Sequence, residues 1–197
     1  MRTGLQINDT HDLCTSGFFY KYSGLIYISS AGHCYNSSYP KWYEGTSSSG
    51  IYIGTNFGYS FYNGMSADVM LINQSSSAAK NLVYISDVEK SRVMTSWLAN
   101  SSQTYGAVAC RVGEYSGYTC GFINGTDLTE TVNGNWTEYH MWEADFASYG
   151  GDSGGPILSG NAEMGVTDDT DGFNTYYSTI YWVDYVMGTT PCVSSSC

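Results

Sequence analysis

The sequence predicts an all-β fold with one short helix near its C-terminal end. Short runs of alternating apolar and polar residues are separated along the whole chain by Gly, Ser, Thr, Tyr and Asn, which is the pattern of many short strands joined by turns. Helical periodicity appears mainly over 178–187, where an apolar face is formed by Trp182, Val183, Val186 and Met187. The apolar share of 42% argues against a disordered chain.

Individual strands are predicted wherever this alternation is bounded by turn-forming residues. In chain order the predicted strands are 4–7, 17–22, 24–30, 51–57, 69–73, 83–86, 107–112, 117–122, 138–143, 156–159, 163–167 and 175–178. No internal repeat and no Pro-rich linker is visible. The polar stretch 75–98 is therefore the expected internal boundary.

Charge and composition exclude several classes of partner. The formal net charge is −11 with only seven Lys and Arg residues, which argues against binding to nucleic acid or to an anionic membrane surface. No apolar stretch reaches the roughly 18 residues that a membrane-spanning helix needs. No signal peptide is visible, so we expect a mature form. Only three His residues are present and they are not spaced as a ligand set, so no metal or other cofactor is expected.

The cysteines and the glycosylation sequons indicate an oxidising, secretory environment. Six Cys is an even number, none of them stands in a C-x-x-C pair, and such usage favours disulfide bonds. Asn-x-Ser/Thr sequons begin at six positions, a mild excess over chance: Asn8, Asn36, Asn73, Asn100, Asn124 and Asn135. We therefore expect a secreted, extracellular glycoprotein.

The most informative stretch is Gly-Gly-Asp-Ser-Gly-Gly-Pro at 150–156. Glycines on both sides of Asp152 and Ser153 allow a sharp turn that exposes the serine hydroxyl and gathers backbone N–H groups around it, as nucleophilic acyl transfer requires. A serine alone is a poor nucleophile, so this stretch predicts a base and an orienting acid elsewhere. His33, in Ala-Gly-His-Cys, and Asp68, directly before Val-Met-Leu-Ile, are the candidates.

The chain order His33, Asp68, Ser153 is that of chymotrypsin-type triads. With these motifs, the chain resembles the trypsin/chymotrypsin superfamily of serine endopeptidases, and most closely its bacterial streptogrisin and α-lytic protease branch. The resemblance runs from about residue 5 to about residue 186. It implies one peptidase domain, 1–197, built from two six-stranded antiparallel β-barrels. These would be an N-terminal barrel, 1–75, a connection, 76–98, a C-terminal barrel with the helix, 99–188, and a tail, 189–197.

The resemblance also implies an acyl-enzyme mechanism on protein or peptide substrates, in a monomer without a cofactor. His33 would take the Ser153 proton and return it to the leaving group, while Asp68 would fix the His33 tautomer. The N–H groups of Gly151 and Ser153 would form the oxyanion hole. As in the bacterial branch, Arg111 would pair with the buried Asp152.

Disulfide pairing follows from the same resemblance. It implies bonds between Cys14 and Cys34, beside the candidate histidine, and between Cys110 and Cys120, across a hairpin. It leaves Cys192 and Cys197 as the third pair.

The resemblance places the substrate pocket between two short segments, which contribute Ala147, Ser148 and Gly150 on one side and Thr167, Asp168, Asp169 and Thr170 on the other. Relatives carry a Ser here that contacts the triad acid. Either Thr167 takes that role, or an acid lies unusually close to Asp68, where two carboxylates would raise each other's pKa. Ala147 favours a small or medium apolar residue at the cleavage point.

Several alternatives stay open at this stage. The acidic run 168–171 is interpreted as a solvated loop, as an attraction for basic substrate side chains, or as a Ca²⁺ site. The whole chain is also compatible with a catalytically inactive protease-fold binding protein, or with an esterase that uses the same residues. If the chain is an inactive binding protein, Asp168 and Asp169 are the residues expected to have caused the loss of catalysis.

Overall fold

A computed structural model describes residues 3–61, 64–74, 81–86, 89–132 and 136–193. The first half of the described chain contains seven strands, which are β1 Gln6–Asn8, β2 Leu13–Thr15, β3 Phe19–Tyr22, β4 Leu25–Ser30, β5 Lys41–Glu44, β6 Ile51–Ser60 and β7 Val69–Gln74. A single 3-10 turn, Gly32–Cys34, follows β4, and a second one, Asn100–Ser102, lies between β10 and β11.

The second half carries the remaining strands and the α-helix. These are β8 Leu82–Tyr84, β9 Ser91–Val93, β10 Ser96–Trp97, β11 Val108–Gly113, β12 Gly117–Val132, β13 Trp136–Ala144, β14 Pro156–Ser159, β15 Ala162–Thr170, β16 Thr175–Thr179, the helix α1 Ile180–Met187 and β17 Thr190–Pro191. No helix in these described ranges is both long and apolar enough to cross a membrane.

The N-terminal strands form a closed antiparallel barrel. β1 pairs with β5, and the order continues through β6, β7 and β4 to β3. Only residues 16–18 separate β3 from β2, and β2 pairs back onto β1. The segment 13–22 thus acts as one bent strand that closes a six-stranded ring. Its interior is apolar, with Trp42, Ile28, Ile53 and Ile72 buried together.

The C-terminal strands close in the same way. The order β15, β14, β11, β12, β13, β16 is completed by pairing of β16 with β15. All pairs in this ring are antiparallel. The predicted all-β fold of two six-stranded antiparallel barrels is therefore confirmed. The chain returns to the first barrel at its end, where β17 pairs with β3.

The helix lies where the periodicity predicts it, but begins later. It starts at Ile180 rather than at residue 178, because the preceding residues belong to β16. It ends at Met187 and is capped by Gly188, whose φ of 64° is the left-handed conformation that favours glycine.

Disulfide bonds join Cys14 to Cys34 and Cys110 to Cys120, the two pairings implied by the resemblance. The first ties β2 to the turn that carries His33. The second joins directly opposed residues of β11 and β12. The third expected pairing includes Cys197, which lies outside the described residues.

Candidate active site

The candidate base and acid are joined by two hydrogen bonds. His33 Nδ1 lies 2.6 Å from Asp68 Oδ2, and the backbone N–H of His33 donates to Asp68 Oδ1 at 2.8 Å. Gly32 makes this approach feasible, since a Cβ at that position would stand only 2.6 Å from Asp68 Oδ1. The Ala-Gly-His motif thus directs the backbone N–H and the ring Nδ1 of His33 to one carboxylate. It leaves the His33 side chain 31% exposed.

Electrostatics couples the two groups. Burial alone would raise the pKa of the fully buried Asp68, but the charge and hydrogen bonds of His33 outweigh it and hold that pKa below its usual value. Burial alone would lower the pKa of His33, and the adjacent Asp68 carboxylate instead raises it. The backbone N–H of Asp68 donates to Ser178 Oγ at 2.8 Å, which fixes the acid from the second barrel.

Ser153 stands in a turn held against the first barrel. Its carbonyl accepts the Thr15 N–H at 2.8 Å, and the Gly151 carbonyl accepts the Thr15 hydroxyl at 2.7 Å. A Cβ on Gly154 would lie 2.6 Å from the Ala31 nitrogen, so the turn packs directly against the segment before His33. Within the described residues no hydrogen bond joins the Ser153 hydroxyl to His33; in proteases without substrate this contact is often long.

Three backbone donors in the stretch 150–156 have no acceptor among the described residues: the N–H of Gly150 and, further along, the N–H groups of Gly151 and Ser153. The N–H of Asp152, between them, donates to the Tyr149 carbonyl at 2.9 Å. Gly151 has a φ of 103°, which is accessible to glycine and unfavourable for other residues. The positions expected to form an oxyanion hole are therefore open donors in a glycine-dependent turn.

Asp152 is fixed by an ion pair and by several donors. Arg111 Nη1 lies 3.1 Å from Asp152 Oδ2, and neither side chain is exposed. The Nη1 hydrogens are not directed at that oxygen, so the contact is an ion pair rather than a hydrogen bond. The N–H groups of Tyr115 and Ser116 donate to Asp152 Oδ1 at 2.9 and 3.0 Å, and the Ser116 hydroxyl donates to Oδ2.

The structure distinguishes the two interpretations of 167–168. The Thr167 hydroxyl donates to the Gly155 carbonyl at 2.9 Å, so it is used in pairing β15 with the motif turn. Asp168 instead reaches Asp68, and its Oδ1 lies 3.8 Å from His33 Nδ1. An acid therefore occupies the position beside Asp68, and the interpretation in which Thr167 does so is wrong.

Glu138 is a further acid beside the site that the sequence analysis missed. It lies on β13, is 1% exposed, and is within hydrogen-bonding reach of Asp168. A bridge between Glu138 and Met65 brings β13 next to the segment that leads to Asp68. In the sequence, Glu138 is the first residue of a predicted strand. Acids are common at such positions on the surface, so the pattern does not by itself indicate a functional residue.

The expected pocket walls are only partly enclosed. Ser148 is buried, Ala147 is half-buried, and Gly150 is exposed. On the opposite strand, Asp169 and Thr170 are half-buried. Burial raises the pKa of Glu130 on β12, and the neighbouring acids, chiefly Asp169, raise it further, to about 8. This side of the cleft is therefore acidic.

The acidic run 168–171 does not converge on one point. Asp168 turns inward to Asp68, whereas Asp171 accepts the N–H groups of Phe173 and Asn174 at 2.8 and 2.7 Å and closes a tight turn. Thr170 supports the same turn by donating to the Asn174 carbonyl at 2.6 Å. These contacts give the run a structural role in the turn rather than the geometry of a cation site.

Two features border the site, a cavity and a pair of aromatic side chains. A cavity of about 710 Å³ adjoins the candidate oxyanion turn and is lined by Gln6, His11, Asp12, Leu13, Thr46, Glu114, Tyr115, Gly150 and Gly151. Phe61 packs edge-on against the His33 ring at 5.7 Å and contacts Trp136 at the same centroid distance. The cavity thus adjoins the serine turn, and aromatic side chains adjoin His33.

Comparison with known proteins agrees with this architecture. No model of a known protein family matches the chain. Streptogrisin-A of Streptomyces griseus is 28% identical over 160 residues, 81% of this chain and 48% of that protein, so the chain spans about half the length of this curated relative. A glutamic-acid-specific serine protease described as using a histidine triad in substrate binding has a TM-score of 0.83 at 20% identity, covering 98% of this chain and 100% of that chain.

A second solved structure, protease A of Thermobifida fusca, has a TM-score of 0.80 at 23% identity and covers 98% of both chains. The fold of these structures and the sequence relationship to streptogrisin-A together confirm the predicted resemblance: the chain is related to the bacterial chymotrypsin-like serine proteases.

Proposed function

We propose that the chain is a serine endopeptidase that hydrolyses peptide bonds through His33, Asp68 and Ser153. The observation that carries the proposal is the 2.6 Å contact between His33 Nδ1 and Asp68 Oδ2 beside the Gly-flanked turn of Ser153. With Nδ1 bonded to the carboxylate, the other ring nitrogen is left unprotonated and faces the cleft, as a general base requires.

The acylation step follows from these positions. Ser153 Oγ attacks the carbonyl carbon of the scissile bond while His33 accepts the hydroxyl proton. The N–H groups of Gly151 and Ser153 donate to the oxyanion of the tetrahedral intermediate. When the intermediate collapses, His33 gives the proton to the departing amine, and an ester on Ser153 remains.

Deacylation repeats this sequence with water as the nucleophile. His33 takes a proton from water, hydroxide adds to the ester carbonyl, and the proton returns to Ser153 as the acid product leaves. Asp68 stays ionised throughout and stabilises the imidazolium formed in each half-reaction. Its depressed pKa suits that role.

The substrate proposal is a protein or peptide chain with a small or medium apolar residue at the cleavage point. Ala147 leaves room there without supplying a charge. Acidic substrate side chains are disfavoured near the expected pocket residue Asp169, whose charge already raises the pKa of Glu130. The whole chain holds three His residues including His33, so glutamate specificity based on a separate histidine triad is not carried over to it.

Two alternative functions have specific tests. A catalytically inactive binding protein would fail to turn over any substrate, and an esterase would cleave activated esters but not peptides. The presence of open donors at Gly151 and Ser153 favours catalysis over pure binding. A peptide bond needs protonation of its leaving amine, and the placement of His33 provides for it.

The test is hydrolysis of a denatured protein and of a peptide library varied at the cleavage position, with matched esters in parallel. The unsubstituted protein should cleave peptides, and Ser153→Ala should not. Ser159→Ala, at the end of β14 and away from the cleft, serves as the matched control. Cleavage of esters alone would favour the esterase, and no cleavage by a folded chain would favour the binding protein.

The setting of this activity is also a proposal. We infer a secreted monomer that needs no cofactor, consistent with two disulfide bonds and with the strongly acidic composition. Sedimentation of the purified chain, and its detection in culture medium after expression of the full-length gene, would test these two statements separately.

A further inference from the structure

Three carboxyl groups meet behind His33, where one would be enough to orient it. Asp68, Asp168 and His33 each offer an atom within 4.8 Å of the other two. Glu138 extends the group, since Asp168 is within hydrogen-bonding reach of both Glu138 and Asp68. Asp68, Asp168 and Glu138 are each 3% exposed or less.

This cluster has too few positive charges for three carboxylates. Within the described parts of the chain, no Lys or Arg forms an ion pair with any of the three acids, and His33 is the one cationic partner. Both oxygens of Glu138 and one oxygen of Asp168 lack any N–H or O–H donor from the described residues. An uncompensated buried carboxylate is strongly unfavourable, and such groups take up a proton instead.

We propose that Asp168 is a positioning residue for the triad, which keeps a proton and donates it in a hydrogen bond to Asp68, while protonated Glu138 donates in turn to Asp168. The order of donors is Glu138, Asp168, Asp68, with His33 donating to Asp68 from the other side. This deepens the proposed peptidase function and rests on it. It assigns to a carboxylic acid the hydroxyl-donor position that relatives fill with Ser.

The direction of the pKa shifts agrees with this arrangement. Burial and the neighbouring Asp68 and Glu138 raise the pKa of Asp168 well above its ordinary value. Burial also raises the pKa of Glu138, and this effect outweighs the hydrogen bond with Asp168, which acts in the opposite direction. Asp68 keeps its charge because His33 and the donors around it lower its pKa. In the proposed arrangement Asp68 supplies the negative charge next to His33, and Asp168 and Glu138 are neutral.

This distribution matters for the base. If Asp168 were ionised, a second carboxylate 3.8 Å from Nδ1 would stabilise the imidazolium further, and His33 would stay protonated at neutral pH. The charged and titratable groups next to Asp168 are Asp68 and His33 of the first barrel and Glu138 on β13. Asp169 on β15 and Glu130 on β12 act on Glu138.

The first test is the pH dependence of kcat/KM for Asp168→Asn and Asp168→Ala. Asn keeps a neutral donor, so the acid limb should stay where it is in the unsubstituted enzyme and activity should change by less than about tenfold. Ala removes the donor, and kcat should fall about 10- to 100-fold with little change in KM. An acid limb displaced by about a unit or more to lower pH in Asp168→Asn would show an ionised Asp168 and overturn the proposal.

Glu138→Gln should behave like Asp168→Asn, because the amide also donates to Asp168. Glu143→Gln is the matched control, the same substitution on the same strand with no contact to the triad acids. It should leave both kinetic constants and the pH profile unchanged. An Asp168→Ala variant that keeps full kcat would likewise contradict a positioning role.

The second test does not depend on activity. Infrared spectra are compared at neutral pH between the Ser153→Ala chain and the same chain that also carries Asp168→Asn. The second should lack a C=O band of a protonated carboxyl group that the first shows. Loss of that band supports the proposal, and its absence from the difference between the two spectra overturns it. If no form cleaves any substrate, the peptidase function fails while this measurement still decides whether Asp168 holds a proton.

Discussion

Arg111 and Asp152 are two buried charges that compensate each other. Both side chains are fully buried, and Asp152 directly precedes the candidate nucleophile. Removing one partner leaves the other as an uncompensated charge inside the second barrel. The ion pair therefore fixes the turn of Ser153, and its effect on activity and on stability should appear together.

Arg111→Ala should lower the free energy of unfolding by about 3–5 kcal/mol and reduce peptidase activity, because the Asp152 carboxylate loses its charged partner. Urea unfolding monitored by fluorescence checks the first effect. Arg92→Ala is the control, since Arg92 pairs with the exposed Glu89 and is itself partly exposed, so its removal should cost less than that of Arg111. Equal effects of the two substitutions would argue against a structural role for the buried pair.

Under the proposed mechanism, we expect His33 to determine the acid side of the pH profile. Its pKa is raised by Asp68, and only the neutral ring can accept the Ser153 proton. Activity should therefore rise with pH through a midpoint above the ordinary value for histidine. The measurement is kcat/KM on a neutral peptide across pH 5 to 9; a midpoint well below that ordinary value would contradict the His33–Asp68 pairing.

At the scale of elements, the site is a junction between strands of both barrels. The motif turn before β14 contacts β2 through Thr15 and packs against the end of β4 through Gly154. The Cys14–Cys34 bond holds the same region from the other side. Side chains larger than hydrogen at Gly154 would separate these elements.

Gly154→Ala should therefore reduce activity strongly and also destabilise the fold. Its φ is 85°, and a Cβ would collide with Ser30 and come within 2.6 Å of the Ala31 nitrogen. Gly160→Ala separates the two causes, because Gly160 also has a positive φ but open space around it. That control should cost about 1 kcal/mol and leave kcat unchanged. Full activity of Gly154→Ala would show that the close packing is not needed.

Element boundaries show what the sequence could and could not predict. β14 was predicted with its bounds, because its apolar residues lie between clear turn signals. β12 was predicted to end at residue 122 and extends to Val132. Gly125 and Asp127, with a φ of 55°, resemble a turn in sequence, but they form bulges within a continuous ladder to β13. Tertiary pairing decided this case.

Five short strands, β2, β5, β9, β10 and β17, have no counterpart among the predicted strands, for a related reason. Each has two to four residues, and β17 exists through its pairing with β3 across the whole length of the chain. A local pattern of that length carries too little periodicity to separate a strand from a loop.

The site was predictable to the extent that its motifs are local. The turn around Ser153 and the segment around His33 are marked by glycine and small residues that the backbone geometry requires. The sequence left two candidates for the residue beside Asp68, Thr167 and Asp168, and the structure was needed to choose between them. Glu138 was not predictable, because its approach to Asp168 depends on β12, β13 and β15 closing the barrel.

At the scale of the whole molecule, buried acids outnumber the cations that could pair with them. Burial raises the pKa of Asp184 to about 7 and that of Glu163 well above its ordinary value, and burial with neighbouring acids raises that of Glu130 to about 8. Asp68 and Asp171 are shifted the other way. The acids with a raised pKa outnumber those with a lowered pKa, and they also include Asp168 and Glu138.

The chain should therefore be more stable at pH 5 than at pH 8. An acid with a raised pKa binds its proton more tightly in the folded state, so the stability that it adds is complete below the unfolded pKa near 4 and is lost as pH rises through the folded pKa. Urea unfolding of Ser153→Ala, which avoids self-digestion, measures the difference. Asp184→Asn should make it smaller, and a free energy of unfolding that increases from pH 5 to pH 8 would contradict this account.

The most direct test of the central claim is covalent labelling with a fluorophosphonate, followed by mapping of the modified peptide by mass spectrometry. A hydroxyl activated by His33 reacts with such a reagent, whereas an ordinary turn serine does not. We expect one adduct, on Ser153, and none in His33→Ala or Ser153→Ala. A folded chain that stays unlabelled, or that is labelled equally after His33→Ala, would contradict the assignment of Ser153 as an activated nucleophile.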